Sequence, residues 1–317
     1  MTKLTATTAA ALMASTAAFA QVETRSVTFE NEGTTLSGTL YLPEGHGGDA
    51  LPTVIVTGAW TSVEEQMPRV YAEEMVARGF AAFTFDFRGW GKSGDLPNGQ
   101  RFIEDPAAKT SDIRAAIDVV AGLPEVDATR INGLGICASA GYMIDAAAGN
   151  DRVQRIGLVA PWLQDAELVE AVYGGAEGVA GLIEMGRAAA AAGGEIIPAA
   201  GPEGAEGVLM PIGGYYYEPE RGAIPAYDNR WNNASWEGWL TYHPVENAER
   251  LTQPLAVVHS EAAAIPQGVR RFLEGVAGPS TLQMLEEVTQ FDFYDNPEDV
   301  QRAADTMAAH FAASNDS

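Results

Sequence analysis

Arg130-Ile131-Asn132-Gly133-Leu134-Gly135-Ile136-Cys137-Ala138-Ser139-Ala140-Gly141-Tyr142 decides how this chain folds. It runs apolar as far as Ile136, passes a cluster of small residues and turns Ala-rich. That order predicts a buried strand over 130–136, a sharp turn, and a helix over 138–148. Gly135-Ile136-Cys137-Ala138-Ser139 places Cys137 at the tip of the turn, with the small neighbours that a crowded, strained backbone needs. A second register places Ser139 at the tip, flanked by Cys137 and Gly141. The first register gives Ile131, Gly133 and Leu134 to buried strand positions and leaves Gly135 at the tight one, so Cys137 is preferred over Ser139.

The same alternation of strand and helix extends on both sides. Residues 26–30 and 36–42 alternate around Asn31-Glu32-Gly33 and predict an opening antiparallel hairpin. Residues 51–56 and 80–87 are continuous apolar runs, hence buried strands, separated by a helix over 64–78. Thr110 or Ser111 can cap a helix through Ile113, Ala116, Ile117 and Val120. Beyond the central turn come a strand over 153–160, a strand over 255–259, a helix around 269–273, a last strand over 282–288 and a last helix over 297–312. Strands alternating with helices predict an α/β fold with a mostly parallel central sheet flanked by helices. Between 172 and 243 the alternation breaks. Gly, Ala and Glu give way to a section rich in aromatics, among them Tyr215, Tyr216, Tyr227, Trp231, Trp236 and Trp239. This stretch is expected to be an inserted cap over the edge of the sheet.

Composition narrows the function classes. The chain has 317 residues, 46% hydrophobic, with a formal net charge of −24. An acidic surface repels nucleic acid and anionic membranes. Residues 1–20 resemble a secretory signal: Lys3, an apolar run from residue 9, then Ala18-Phe19-Ala20 as a cleavage pattern. Export to a periplasm or medium is the expectation, with 21–317 as the working domain. No cysteine follows Ala20 except Cys137, so neither a lipoprotein anchor nor an internal disulfide is expected. No later segment approaches the ~20 apolar residues of a membrane span. The four histidines are scattered and no phosphate-loop pattern occurs, so no metal, nucleotide or other cofactor is implied.

Four pieces together resemble the α/β-hydrolase superfamily, and within it the dienelactone-hydrolase-like branch, in which Cys can be the nucleophile. They are Thr57-Gly58-Ala59-Trp60, Phe85-Asp86-Phe87-Arg88-Gly89 through Gly94, the turn at Cys137, and Phe291-Asp292-Phe293-Tyr294-Asp295. The resemblance spans roughly residues 26–311. It implies an oxyanion hole from the backbone N–H of Ala138 and of Ala59 or Trp60. It also implies a thiolate at Cys137, favoured by the helix start at Ala138. The pattern breaks in two places. An Asp is expected near Ala263, where the chain reads Ser260-Glu261-Ala262-Ala263-Ala264, and a His is expected where Gln290 stands. Gln cannot take a proton near neutral pH. His259, ending a strand at the correct edge, is the substitute base, and Asp165, after the preceding strand, the replacement acid. His46, His243 and His310 fit the site less well.

Two functions follow. One is a hydrolase of esters, thioesters or lactones through Cys137, with an atypical or incomplete triad in which Gln290 orients water or substrate. The other is an inactive hydrolase fold that binds a small apolar or aromatic ligand under the aromatic section.

Overall fold

A computed structural model describes residues 22–313. The expected signal segment lies outside the described residues. The chain opens with the hairpin β1 (Val22–Asn31) and β2 (Thr34–Pro43), turned by Glu32 and Gly33 at positive φ. Then come β3 (Leu51–Thr57), α1 (Met67–Ala77), β4 (Ala81–Phe85), α2 (Pro106–Ala121), β5 (Val126–Ile136), α3 (Ser139–Ala147) and β6 (Val153–Val159). After α4 (Ala166–Val172) and α5 (Gly175–Ala191), the short strands β7 (Ile196–Pro198) and β8 (Arg230–Asn232) pair apart from the main sheet, and α6 (Trp236–Leu240) follows. The chain closes with β9 (Leu255–Ser260), α7 (Pro266–Gly275), β10 (Ser280–Leu285), α8 (Asp292–Asp295) and α9 (Pro297–Ala312).

Eight strands form one sheet in the order β1-β2-β4-β3-β5-β6-β9-β10. β1 and β2 are antiparallel, β2 meets β4 antiparallel, and every pair from β4 through β3 to β10 is parallel. Val54, Ile55, Val56, Leu134, Ile136, Leu158, Val159, Val257 and Val258 are almost wholly buried, as strands covered on both faces must be. α2 and α3 cover one face; α1 and α9 pack together on the other.

Several boundaries differ from the sequence reading. α2 starts at Pro106, not near Thr110, because Asp105 caps it: its Oδ1 accepts from the N–H of Ala107 and Ala108, both at 3.0 Å. Pro106 suits the first turn, where an N–H would be unsatisfied anyway. α1 starts at Met67, ahead of Pro68, and residues 64–66 belong to the approach turn. β10 ends at Leu285, where Glu286 and Glu287 leave the apolar pattern.

All the parallel strands end at one edge, and five loops meet there: after β3 at Trp60, after β5 at Cys137, after β6 at Trp162, after β9 at Ala262 and Ala264, and after β10 at Gln290. Ligands in such sheets bind beyond the carboxyl ends of the strands.

Candidate active site

Cys137 has φ +57°, a left-handed conformation that a side-chain-bearing residue adopts only under constraint. The constraint is local. Its N–H donates to Val159 O (3.2 Å), while its carbonyl accepts from Ala140 N (3.2 Å) and Trp162 N (2.9 Å). The turn also depends on lost side chains. A Cβ on Gly135 would lie 2.7 Å from Ala140 Cα, and one on Gly141 would lie 2.8 Å from Tyr242 Oη and 3.0 Å from Pro244 Cβ. Ser139 is not among the cavity walls. It is wholly buried, its hydroxyl donates to Ile136 O (3.1 Å), and its Oγ accepts from Ile136 N (3.2 Å).

Cys137 sits at the floor of a cavity of about 310 Å³. The walls are mostly apolar: Trp60, Trp162, Met210, Ile212, Tyr216, Trp239, Ala262, Ala264, Phe291 and Tyr294, with Thr289 and Gln290 as polar members. The segment 172–243 supplies Met210, Ile212, Tyr216 and Trp239. Its aromatics grip the loop after β3: Trp60 lies 4.9 Å from Trp239 and 4.6 Å from Trp231, centroid to centroid. Gln164 ties the loop after β6 to the same segment by donating to Trp239 O (2.8 Å) and Tyr242 O (2.9 Å).

The Tyr294 hydroxyl and the backbone N–H groups of Ala138 and Trp60 act on the Cys137 thiol in favour of its charged form. The Ala59 carbonyl accepts from Ser62 Oγ at 2.7 Å and from Ser62 N at 3.2 Å, which tightens the loop after β3. Burial outweighs the donors and pushes the Cys137 thiol above its usual range, with the charge of Glu104 acting in the same direction. Desolvation thus works against the thiolate expected at the helix start.

The structure does not gather the two substitute triad members at the sulfur. His259 is wholly buried within β9 and is not among the cavity walls; its Nε2 lies 3.1 Å from Ala264 O, and burial drives its pKa down to about 4. Asp165 caps α4, accepting from Leu168 N at 2.9 Å, and pairs with Arg271 at 2.8 Å. Glu261 is engaged at the surface by Arg270. His243 faces Leu240 O and Glu246, and His310 faces Pro254 O. Gln290 does reach the site. Its Nε2 donates to Ala160 O and to Tyr294 Oη, both at 2.9 Å, and its Oε1 accepts from Ala264 N at 3.1 Å. With both amide hydrogens engaged, Gln290 braces Tyr294 in the place where the family's base would stand.

Tyr294 was missed from sequence as a site residue. The available signal was its spacing: it follows Gln290 by four residues, one helical turn on, within the Phe291-to-Asp295 stretch. Burial holds its phenol well above the ordinary range, so it is a neutral donor. A second group behind the turn was also missed. Lys109 Nζ lies 2.8 and 2.9 Å from the two Glu104 carboxylate oxygens, both residues almost wholly buried. Glu104 also accepts from Tyr142 Oη (2.8 Å) on α3. Among the described residues no group of three or more His, Cys, Asp or Glu could hold a metal, and no helix is long and apolar enough to cross a membrane.

Comparisons with known proteins agree with this frame. PA2218 of Pseudomonas aeruginosa is 41% identical over 138 residues, which are 43% of this chain and 36% of that protein, so the matched stretch spans about a third of its length. A crystal structure of PA2218 superposes with a TM-score of 0.76 at 25% identity, covering 97% of this chain and 99% of that one. YcjY of Escherichia coli is 27% identical over 297 residues, 89% of this chain and 95% of that protein. A thiohydrolase of Eupenicillium brefeldianum is 34% identical over 123 residues, 39% of this chain and 38% of that one. The profile of the family described as "Esterase FrsA-like" matches residues 6–165, half of the chain. With the sheet order, the strained turn at Cys137 and this match together, the chain belongs to the FrsA-like esterase family of the α/β-hydrolase superfamily.

Proposed function

We propose that this protein cleaves an ester, thioester or lactone through Cys137 as a covalent nucleophile. One observation carries the reading: Cys137 lines an apolar cavity at the tip of a left-handed turn, and the N–H groups of Ala138 and Trp60 favour its charged form. A carbonyl carbon brought to that sulfur would direct its oxygen toward the two N–H groups, which would stabilise the developing negative charge. The acyl chain would lie against Trp162, Trp239, Met210 and Ile212. The relative named a thiohydrolase adds support for a thioester among the three bond types. In this reading residues 172–243 act as a cap that encloses the acyl group, and residues 1–20 direct export.

A purified full-length preparation is assayed with p-nitrophenyl butyrate beside Cys137→Ala. Release of the first equivalent of p-nitrophenol at least about a hundredfold faster in the wild type than in the variant is expected for a lost covalent nucleophile. Equal rates would remove Cys137 from the chemistry. They would favour the second reading, a binder of apolar ligands, for which the raised thiol and the base position filled by Gln290 are the motivating observations.

A further inference from the structure

We propose that Cys137 takes apolar acyl groups from thioesters and keeps them as a persistent acyl-cysteine, which a thiol, rather than water, releases. This rests on the Cys137 reading above and adds to it the donor class, the slow step and the acceptor.

The side chains at the sulfur can give hydrogen bonds, but none can take a proton. Tyr294 faces the sulfur as a protonated phenol. Gln290 has both amide hydrogens bound, to Ala160 O and Tyr294 Oη, and is no base. His259 is wholly buried and engaged with Ala264 O, and the wall on that side is formed by Ala262 and Ala264.

This separates the two halves of the reaction. In the first, the sulfur bonds to the thioester carbonyl carbon and the carbon–sulfur bond to the leaving group breaks. The proton of the Cys137 thiol departs with the leaving thiolate, so a free thiol results. Burial holds the entering thiol above its usual range, so acylation draws on the fraction that is thiolate at mildly alkaline pH, and the leaving sulfur, itself a stable thiolate, needs no acid on the protein. An ordinary alkoxide leaving group would need a proton donor of moderate pKa, which the site lacks. In the second half, an attacking water must lose a proton as its oxygen bonds to carbon. The general base that normally receives it, contributing about 10²–10⁴-fold, is missing. A thiol acceptor avoids this. It attacks as the thiolate already formed in solution, its sulfur bonds to the acyl carbon as the bond to the Cys137 sulfur breaks, and the Cys137 thiolate is reprotonated from solvent. The oxyanion donors serve both halves alike, so the block falls on hydrolysis alone.

The test uses S-butyryl-N-acetylcysteamine with the full chain at mildly alkaline pH, followed by intact mass and by release of N-acetylcysteamine. One butyryl group per chain, mapped to Cys137 and persisting through the steady state, is expected, with a burst of one equivalent of released thiol. Adding 2-mercaptoethanol should raise turnover at least about tenfold over the Cys137→Ala background and yield its S-butyryl derivative. Cys137-dependent turnover with no burst and no adduct would overturn this proposal while leaving the nucleophile reading intact. Release that is equal in Cys137→Ala would overturn both. In the double variant Ala263→Asp/Gln290→His, the adduct should decay about 10²-fold faster, because the acid and base are resupplied. A folded double variant with an unchanged adduct lifetime would refute the missing base as the cause.

Discussion

Glu64 offers a direct measure of the electrostatics beside the loop that carries Trp60. It lies four residues after Trp60 and is almost wholly buried. Its carboxylate accepts from Thr84 Oγ1 (2.8 Å) and Thr39 Oγ1 (3.2 Å), and its N–H donates to Asp86 Oδ1 (2.7 Å). Burial, reinforced by the nearby Asp86 charge, raises its pKa from an ordinary 4.5 to about 7. The native state therefore holds a proton between those values that the unfolded chain has lost. Stability falls as pH rises through that window, by about 3 kcal/mol in all, since each pH unit is worth 1.36 kcal/mol. Glu64→Gln fixes the neutral form and keeps an acceptor for one threonine. Urea unfolding of wild type and E64Q at pH 5 and pH 8 gives the answer. The variant's advantage should be below about 1 kcal/mol at pH 5 and grow to about 3 kcal/mol at pH 8. His259 and His310, pushed down to about 4 by burial, weaken both proteins alike as pH falls from 6.5, so the difference isolates the carboxyl. A variant no more stable at pH 8, or equally favoured at both pH values, would refute the reasoning.

Lys109→Met should cost about 3–5 kcal/mol in the same urea assay, because it leaves the Glu104 carboxylate buried without its cation; Glu104→Gln on that background should recover part of the loss. Tyr294→Phe removes one of the three donors facing the sulfur, so the pH profile of Cys137 alkylation by iodoacetamide should move upward, with slower reaction at a given pH below the new midpoint. An unmoved profile would show that the phenol does not influence the thiol. Gly135→Ala drives a Cβ to 2.7 Å from Ala140 Cα, backbone against backbone, and should cost more than about 2 kcal/mol in thermal unfolding.

The fold was legible because its signals are local. Continuous apolar runs marked β3, β4, β5 and β9, and small residues around Cys137 marked the strained turn that φ +57° displays. Start points were harder. The cap of α2 is Asp105, whose role shows only through its bonds to Ala107 and Ala108, while Thr110 and Ser111 looked as suitable in one dimension. At the site, Cys137, Ala138, Trp60 and Gln290 could be named because each follows a strand end. His259 and Asp165 follow strand ends too, yet one is sunk into β9 and the other ion-paired with Arg271. Strand order places a residue at the edge, but only packing sets which way its side chain turns. Tyr294 is set against Cys137, Tyr215 and Tyr216, all far from it in sequence, so spacing alone could not single it out.

Gln290 and Tyr294 also explain why the vacancy left by a base has not become a loose site. A small residue in place of Gln290 would leave Ala160 O and Ala264 N, both at loop ends, without the partners they have now, each an energetic cost when buried. Gln290 satisfies both and still donates to Tyr294. It thereby keeps the loops after β6, β9 and β10 at the spacing that frames the cavity. In the proposed reaction the oxyanion donors, Ala138 and Trp60, would come from the loops after β3 and β5, apart from that exchange. Charge stabilisation at the carbonyl and proton removal from water would then reside on separate loops. A chain can lose the second and retain the first, which is the physical basis for expecting acylation of Cys137 to outlive hydrolysis.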